Sequence, residues 1–510
     1  MMTSFMQRGL AATKTRNLAE AAECFEKALK EDPDDIEARA RLGQTLCSLG
    51  RSSEGLAYLR EAGQDLLEYA SDSGDISHVL EIIQQLQHWN DFPGALELGS
   101  QVVQINDSDA RGFQLLAVTY AQLNMKAKAL EAGEQALKLA PKITMLQMLQ
   151  ASLEADAGLN EAAKRRLETV LSQELNAREE FRAHKELARV LDKLGKYGEV
   201  FPHLHASAVL VSSLPEYSQQ NKALLPDMLK ANKAGFDREL MGRWSGTDFP
   251  PDQPAPVFLI GFFRSGTTLT QEVLDVHPEV FVADETDFVW DMHRELHQMD
   301  RSNAGTVAKL RKLDLAGVKH LRESYWNRAR GRFGSTLNQR VFVDKFTMNT
   351  IDLGLINCIF PDAKVVFVMR DPRDVCLSCF MQLMVPTSAT IHLLSWKGTA
   401  VFYAQVMDWW RHIKQQMTLD FIEFRYEDAV EQFESTYCKV FDFLGLSWSP
   451  AVAEFHKHAT GKFIASPSRN QVAQPLYSSS VARWRHYESE FGPIEQTLRP
   501  YVAAFNYEPF

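Results

Sequence analysis

One eight-residue loop constrains the fold of this chain more than any other stretch. Residues 261–268 read Gly-Phe-Phe-Arg-Ser-Gly-Thr-Thr, which has the Gly-four-Gly spacing of a phosphate-binding loop. The apolar run at 257–260 predicts a buried strand, and residues 269–275 predict a helix that ends near His277 and Pro278. In this setting, backbone N–H groups and a helix N-terminus bind a phosphate. We therefore expect an α/β fold here, with an ordinary β–α turn as the alternative.

The loop lacks the lysine that nucleoside triphosphatases place against the β- and γ-phosphates. Thr267 stands at that position, Thr268 follows it, and the cation of the loop is Arg264. Backbone N–H groups around Ser265 and Gly266 can still bind a phosphate, but the loop is poorly suited to a triphosphate with its metal ion. We expect these five residues to bind a nucleotide with one short anionic arm and no metal. A metal-dependent nucleotide kinase is disfavoured for the same reason.

A second candidate anion site follows another buried strand. The run at 364–369 is largely apolar, and Arg370 stands at its carboxyl end, where ligands bind in parallel sheets. Ser378 lies about two helical turns further along the chain. A guanidinium binds phosphate through two hydrogen bonds, so an arginine with a hydroxyl suits a second phosphate. The alternative is a capping pair between Arg370 and Asp374.

Two separated phosphate sites without the triphosphatase lysine point to 3′-phosphoadenosine-5′-phosphosulfate (PAPS). The loop at 261–268 resembles the 5′-phosphosulfate loop of sulfotransferases, and Arg370 with Ser378 matches their 3′-phosphate motif, spacing included. The chain is most similar to the tyrosylprotein sulfotransferase branch, in which the loop leads to a His-Pro turn and then to a Glu-Thr pair, here Glu285 and Thr286. The resemblance covers residues 254–510.

The resemblance implies roles for single residues. Glu285 is the expected catalytic base, Lys345 the catalytic lysine, and Ser468 the late serine of the site. Tyr426 and Arg483, the basic residue before a tryptophan, are the expected further nucleotide contacts. Structural alternatives remain open: a first helical turn for the glutamate, an exposed strand end for the lysine and an irregular polar stretch for the serine.

The chain departs from the family pattern at three positions. Phe263 replaces a usual proline, Gln382 stands where a further arginine is expected, and Arg483 replaces a lysine. The resemblance implies PAPS-dependent transfer of a sulfuryl group to an acceptor hydroxyl, with a tyrosine of a peptide or protein as the leading acceptor. Two alternatives stay open: a small-molecule or saccharide sulfotransferase, and a nucleotide-binding repeat scaffold without turnover.

The amino-terminal half of the chain shows a 34-residue period. Small residues recur at this spacing from Ala21 to Gly55 and from Ala95 to Ala129 within helix-pair patterns. This period resembles tetratricopeptide repeats, and we expect about six of them over residues 5–211. Such an α-solenoid has a concave face that holds a peptide or a partner. The alternatives are a spacer or a dimerisation element, and the latter would make the protein a homodimer. An unrelated helical bundle is the alternative.

The expected architecture is therefore α + α/β. Tetratricopeptide-like repeats over 5–211 lead through a connector at 212–253 to a sulfotransferase domain over 254–510, a doubly wound α/β fold with a parallel sheet. Since all cofactor motifs lie after residue 256, we expect removal of residues 5–211 to spare PAPS binding.

Composition adds expectations about location and partners. The formal net charge of −11 argues against general nucleic-acid binding. No apolar run approaches about 18 residues, and the first residues lack an apolar signal core, so we expect no membrane span. Six scattered cysteines indicate reduced thiols and a cytoplasmic location.

Overall fold

The computed structural model describes residues 4–337, 340–458, 463–464, 466, 472–476 and 479–510. They fall into two compact units. The first comprises residues 1–159, 327–338 and 460–463, and the second comprises residues 160–326, 339–459 and 464–510. Across the described residues, no helix is both long enough and apolar enough to cross a membrane.

The first unit is helical. Its described residues up to 159 form α1 (Ser4–Lys14), α2 (Leu18–Glu31), α3 (Ile36–Ser48), α4 (Ser52–Ser73), α5 (Ser77–His88), α6 (Phe92–Ile105), α7 (Ala110–Gln122), α8 (Lys126–Leu139) and α9 (Thr144–Asp156). Short polar side chains begin several of these helices, because they satisfy backbone N–H groups that have no partner within the helix. The Asp35 carboxylate accepts from Ala38 N, and the Asp91 carboxylate accepts from Gly94 N.

Small residues allow these helices to pair closely, as the 34-residue period predicts. A Cβ atom added at Gly43 would lie 2.7 Å from the Gly55 carbonyl oxygen, and one added at Gly55 would lie 2.5 Å from the Gly43 carbonyl oxygen. Ala21, Ala95 and Ala129 are buried at equivalent positions. The predicted tetratricopeptide-like fold of the amino-terminal region is confirmed.

A five-stranded parallel sheet forms the centre of the second unit. Its strands are β1 (Val257–Gly261), β2 (Val280–Asp284), β3 (Val341–Lys345), β4 (Lys364–Met369) and β5 (Asp420–Arg425). The strand order is β2-β3-β1-β4-β5, and all four neighbouring pairs are parallel. The carboxyl ends of all five strands therefore lie at one edge, and the predicted parallel sheet is confirmed.

The described residues of the second unit include the helices α10 (Asn160–Leu171), α11 (Ala177–Lys193), α12 (Tyr197–Leu210), α13 (Pro215–Ser218), α14 (Leu224–Gly235), α15 (Arg238–Gly242), α16 (Thr267–Asp275), α17 (Phe288–Met299), α18 (Thr306–Lys312), α19 (Leu315–Phe333, whose last turns belong to the first unit), α20 (Leu353–Ile359), α21 (Pro372–Met381), α22 (Trp396–Ile413), α23 (Tyr426–Glu431), α24 (Phe433–Leu444), α25 (Phe455–His458) and α26 (Gly492–Ala504). A 3-10 segment, Arg483–Glu490, precedes the last of them.

Helices cover both faces of the sheet, because its strands carry apolar side chains on both sides. On one face, Val273 of α16 and Phe441 of α24 share a core with Leu259 of β1. On the other face, Phe367 of β4 stacks on Trp410 of α22, with ring centroids 3.8 Å apart. This is the expected doubly wound arrangement.

Helices α10 to α12 belong to the same compact unit as the sheet, although they continue the repeat pattern along the sequence. Phe201 of α12 packs against Phe380 of α21 and Trp396 of α22, with centroid distances of 6.0 and 5.2 Å. Lys185 of α11 is buried and donates a hydrogen bond to the Phe380 carbonyl. The last helices of the repeat region therefore support α21, which follows β4.

Candidate active site

Five of the predicted site features follow or end strands at the carboxyl edge of the sheet. Glu285 follows β2, Lys345 ends β3 and the 261–268 loop follows β1. Arg370 follows β4, and Tyr426 follows β5. The parallel topology thus brings together residues that are far apart in the sequence, at the edge where α/β proteins bind ligands.

The loop requires glycine at both ends of its frame. A Cβ atom at Gly261 would lie 2.6 Å from Ser265 Oγ, and one at Gly266 would lie 2.4 Å from the Tyr426 ring. Gly266 also has a φ of 104°, which only glycine adopts readily. Arg264 has a φ of 64°, a left-handed conformation that costs energy for every residue other than glycine. Such strained residues are frequent in loops that bind ligands.

The side chains of the loop leave one buried hydroxyl unsatisfied. Helix α16 begins at Thr267, two residues earlier than predicted, so its N-terminus opens directly into the loop. Thr267 Oγ1 lies 3.2 Å from Thr347 Oγ1, and Thr268 Oγ1 donates to Ser466 Oγ at 2.8 Å. Ser265 Oγ is buried and has no hydrogen-bond partner among the described residues. Because buried hydroxyls are normally paired, this one points to a ligand in the loop.

A direct contact joins the two predicted phosphate positions. Arg264 Nε donates to Ser378 Oγ at 3.0 Å, so the cation of the loop reaches α21. Arg370 Nη1 donates to the Arg264 carbonyl at 3.0 Å, and Arg370 Nη2 donates to the Ser480 carbonyl at 2.5 Å. The Arg370 guanidinium lies 4.9 Å from the Tyr426 ring centroid. Arg264, Arg370 and Tyr426 line one cavity.

Helix capping does not account for Arg370. The N-terminus of α21 is capped by Asp371, whose carboxylate accepts from Arg373 N at 2.9 Å. Asp374 instead accepts a hydrogen bond from Trp484 N at 2.8 Å. Burial raises the pKa of Asp374 to about 6, although the nearby Arg370 opposes the shift.

Lys345 and Glu285 form an ion pair at neighbouring strand ends. Lys345 is fully buried, and its Nζ contacts the Glu285 carboxylate and lies 3.1 Å from Asp284 Oδ1. Burial alone would lower the pKa of Lys345, but the two carboxylates outweigh burial and raise it. Burial raises the pKa of Glu285, and Lys345 opposes that shift. The Glu285 side chain remains 28% exposed, so the buried ammonium of Lys345 stands beside a carboxylate that solvent partly reaches.

A network from two other elements holds Glu285. Its backbone has a φ of 48°, and its N–H donates to the Lys345 carbonyl at 2.8 Å. Thr286 Oγ1 donates to Asp344 Oδ1 at 2.8 Å, and the Tyr325 hydroxyl donates to Asp344 Oδ2 at 2.7 Å. Sequence reasoning gave no role to Asp344 or Tyr325. The sequence feature that could have indicated a role for Asp344 is its position as an acidic residue in an otherwise apolar strand, directly before Lys345.

Arg483 lies against α21 and α11. Its Nε lies 3.1 Å from Asp192 Oδ1, and its Nη2 lies 2.6 Å from Asp192 Oδ2 and 3.1 Å from Met381 Sδ. Met381 is one helical turn beyond Ser378, so Arg483 borders the helix of the second predicted phosphate site. Ser468, the remaining predicted catalytic residue, lies outside the described residues.

Comparison with known proteins gives matches for both parts of the chain. A sulfotransferase family model matches residues 256–450, and tetratricopeptide repeat models match residues 12–68 and 110–143. An uncharacterised protein from Aquifex aeolicus (strain VF5) is 27% identical over 321 residues, 61% of this chain and 40% of that protein. Protein-tyrosine sulfotransferase 2 from Gallus gallus is 25% identical over 272 residues, 50% of this chain and 70% of that enzyme.

Solved structures of both kinds are also similar. The sulfotransferase domain from the curacin biosynthetic pathway aligns with a TM-score of 0.37 and 16% identity, over 50% of this chain and 99% of that domain. A tetratricopeptide repeat protein from Parabacteroides merdae aligns with a TM-score of 0.34 and 16% identity, over 46% of this chain and 94% of that protein. The parallel sheet and the match to the sulfotransferase family model lie in the same part of the chain, and the tetratricopeptide repeat matches lie in the helical amino-terminal part.

Proposed function

We propose that this chain is a PAPS-dependent sulfotransferase that sulfates the hydroxyl of a tyrosine in a peptide or protein. The observation that carries the proposal is the Glu285–Lys345 ion pair, which lies beside a phosphate-binding loop at one edge of the sheet. A base and a cation side by side are what transfer to a hydroxyl requires. The similarity to the protein-tyrosine sulfotransferase of Gallus gallus supports the choice of acceptor.

The residues around the loop fit PAPS. The unpaired Ser265 hydroxyl and the N-terminus of α16 suit the 5′-phosphosulfate, because both present donors to an anion. Arg370 and Ser378 suit the 3′-phosphate, with Arg264 between the two positions. Thr267 stands at the position of the triphosphatase lysine and contacts Thr347. A threonine there provides no positive charge to bind a γ-phosphate.

The chain's own residues divide the chemistry between a base and a cation. PAPS, when bound, supplies an activated sulfuryl group attached to the 5′-phosphate of the nucleotide. Glu285 accepts the proton of the acceptor hydroxyl, and its raised pKa makes it a better base near neutral pH. Lys345 stays protonated and stabilises the negative charge that develops on the leaving oxygen. A phenol with a pKa of about 10 loses its proton more readily than an alcohol, which favours tyrosine.

The test is transfer of label from radiolabelled PAPS to matched acceptors. We expect label on a tyrosine peptide, none on the same peptide with phenylalanine or serine, and much slower labelling of the tyrosine peptide by the Glu285→Gln chain. Label only on small phenols or on saccharides would replace the proposed acceptor by a small molecule. Tight nucleotide binding without transfer to any acceptor would indicate a scaffold without turnover.

Calorimetry tests the nucleotide separately. We expect PAPS and its product, adenosine 3′,5′-bisphosphate, to bind with micromolar affinity in the absence of magnesium, and ATP to bind much more weakly. Equal affinity for ATP with strict dependence on magnesium would indicate a kinase and contradict the proposed function.

A further inference from the structure

Asp192, near the end of α11, makes an ion pair that crosses from the repeat region to the nucleotide side of the second unit. Its two carboxylate oxygens hold Nε and Nη2 of Arg483, at 3.1 and 2.6 Å. The Tyr487 hydroxyl donates to the same carboxylate at 2.6 Å. Only 13% of the Asp192 side chain is exposed, and 23% of Arg483, so solvent screens this pair less than a surface salt bridge.

The stability of α11 does not explain this carboxylate. Asp192 lies in the last turn of the helix, where the macrodipole is negative and an acidic side chain is unfavourable. Any favourable contribution of the Asp192 carboxylate must therefore come from the groups that it contacts. Those groups, Arg483 and Tyr487, both belong to the 3-10 segment before α26.

Helices α11 and α12 hold Asp192 firmly against this segment. Tyr197 stacks on His486 with ring centroids 4.1 Å apart, and it meets Tyr487 edge to face. Lys185, two helical turns before Asp192, is buried against the carbonyl of Phe380. The carboxylate therefore approaches Arg483 from a packed element rather than from a free helix end.

The ion pair uses only one edge of the guanidinium. Arginine has five N–H donors, and Asp192 and Met381 account for those on Nε and Nη2. Nη1 makes no hydrogen bond with the described residues, so two donors remain for an anion. On the other side of this segment, Trp484 N donates to Asp374 of α21, which fixes Arg483 beside the Ser378 helix.

We propose that Asp192 is a positioning residue for the nucleotide: it fixes Arg483 so that Nη1 can bind the phosphate held at α21. This assignment rests on the proposed function, since it needs a nucleotide with a phosphate at Ser378 and Arg370. Fixing the arginine before the ligand arrives reduces the entropy lost on binding. The α11–α12 pair is then a part of the nucleotide site, although it lies in the repeat region of the sequence.

Titration of full-length variants with adenosine 3′,5′-bisphosphate tests the assignment. Asp192→Asn keeps the shape of the side chain and removes its charge, and we expect Kd to rise about 10-fold, as for loss of a charge-assisted hydrogen bond. The KM for PAPS should rise in parallel, while kcat at saturating PAPS stays unchanged. In an Arg483→Ala background, Asp192→Asn should add no further loss, because the two residues act as one unit.

A matched control separates positioning from general stability. Asp362 pairs with the buried Arg322 at the opposite edge of the sheet, just before β4. Asp362→Asn should lower the melting temperature without any change in Kd for the bisphosphate. An unchanged Kd in Asp192→Asn, or losses that add in the double variant, would overturn the assignment. Failure of the unsubstituted chain to bind the bisphosphate would instead contradict the proposed function, and the assignment with it.

Discussion

The carboxylate of Glu285 and the ammonium of Lys345 depend on each other for their charge. Lys345 is completely buried, and a buried ammonium needs a partner. It has two, Asp284 and Glu285, and only Glu285 is placed on a strained backbone. Under the proposed mechanism, Asp284 would keep Lys345 paired when Glu285 accepts a proton.

Substitution of Glu285, the proposed base, should lower turnover without weakening nucleotide binding. We expect Glu285→Gln to lower turnover by about 10²- to 10⁴-fold, the usual contribution of a general base. Its affinity for adenosine 3′,5′-bisphosphate should stay near that of the unsubstituted chain, because Arg370 and the loop are unchanged. Glu279→Gln, an exposed glutamate at the other end of β2, is the control and should retain full turnover. Full turnover of Glu285→Gln would make Glu285 structural.

Arg370 should show the opposite effect. Its guanidinium borders the loop, Ser480 and Tyr426. We expect Arg370→Ala to weaken binding of adenosine 3′,5′-bisphosphate by about 1.5–3 kcal/mol, the range for a hydrogen bond to a charged group. Calorimetry gives the difference directly, with Arg499→Ala on the exposed side of α26 as the control. A loss equal to that of the control would mean that the phosphate lies elsewhere.

Lys185 should make stability depend on pH. Burial lowers the pKa of Lys185 to about 7, whereas an unfolded lysine titrates near 10.4. Between these values the unfolded chain binds more protons than the folded one, so stability rises with pH, by up to about 1.4 kcal/mol per pH unit from this group. Urea unfolding at pH 7 and pH 9 should show that rise in the unsubstituted chain and a smaller one in Lys185→Met. Lys193→Met, in the same helix but exposed, should keep the full rise.

At the scale of elements, contacts between strand β3 and the two residues that follow β2 hold Glu285, the proposed base, in place. The Glu285 N–H donates to the Lys345 carbonyl, and the next residue, Thr286, donates to the buried Asp344. Tyr325 also donates to Asp344 and so fixes the carboxylate that holds Thr286. We expect Thr286→Val to lower kcat by as much as about 10²-fold, since small displacements of a catalytic group carry losses of that size. Thr286→Ser keeps the hydroxyl and should retain most of the activity. A loss confined to thermal stability, with kcat intact, would show that the junction does not position Glu285.

Local segments could be predicted from the sequence, and contacts between distant segments could not. The first strand, its loop and its helix were predicted within two residues, because one short stretch contains the apolar run, both glycines and the helix start. The spacing of Arg370 and Ser378 is likewise set within one strand and one helix. Asp192 and Arg483 are 291 positions apart, and no periodicity or motif relates them. Asp344 was missed for a similar reason, since its partners are Thr286, which follows β2, and Tyr325 of α19.

At the scale of the whole molecule, the compact units place a boundary at residue 159, whereas the sequence motifs place the end of the repeats at residue 211. The motifs, all after residue 256, predict that removal of residues 5–211 spares nucleotide binding. Yet α10 to α12 belong to the unit of the sheet, where Phe201 fills the space between Phe380, Trp396 and Tyr487. We expect a chain of residues 160–510 to bind adenosine 3′,5′-bisphosphate like the full chain, and a chain of residues 212–510 to lose binding or solubility. Equal binding by both would return the boundary to residue 211.

The same truncation tests whether the repeats recruit a polypeptide. A binding surface that is distant from the reacting atoms acts by raising the effective concentration of the acceptor. Removal of residues 1–159 should therefore raise KM for a protein acceptor and leave KM for a small phenol unchanged, with kcat similar for both. KM for PAPS serves as the internal control, because the site residues all remain. Equal losses with both acceptors would mean that the first unit supports the catalytic fold. No loss with either would assign the repeats to assembly and would favour a small-molecule acceptor over a tyrosine in a protein.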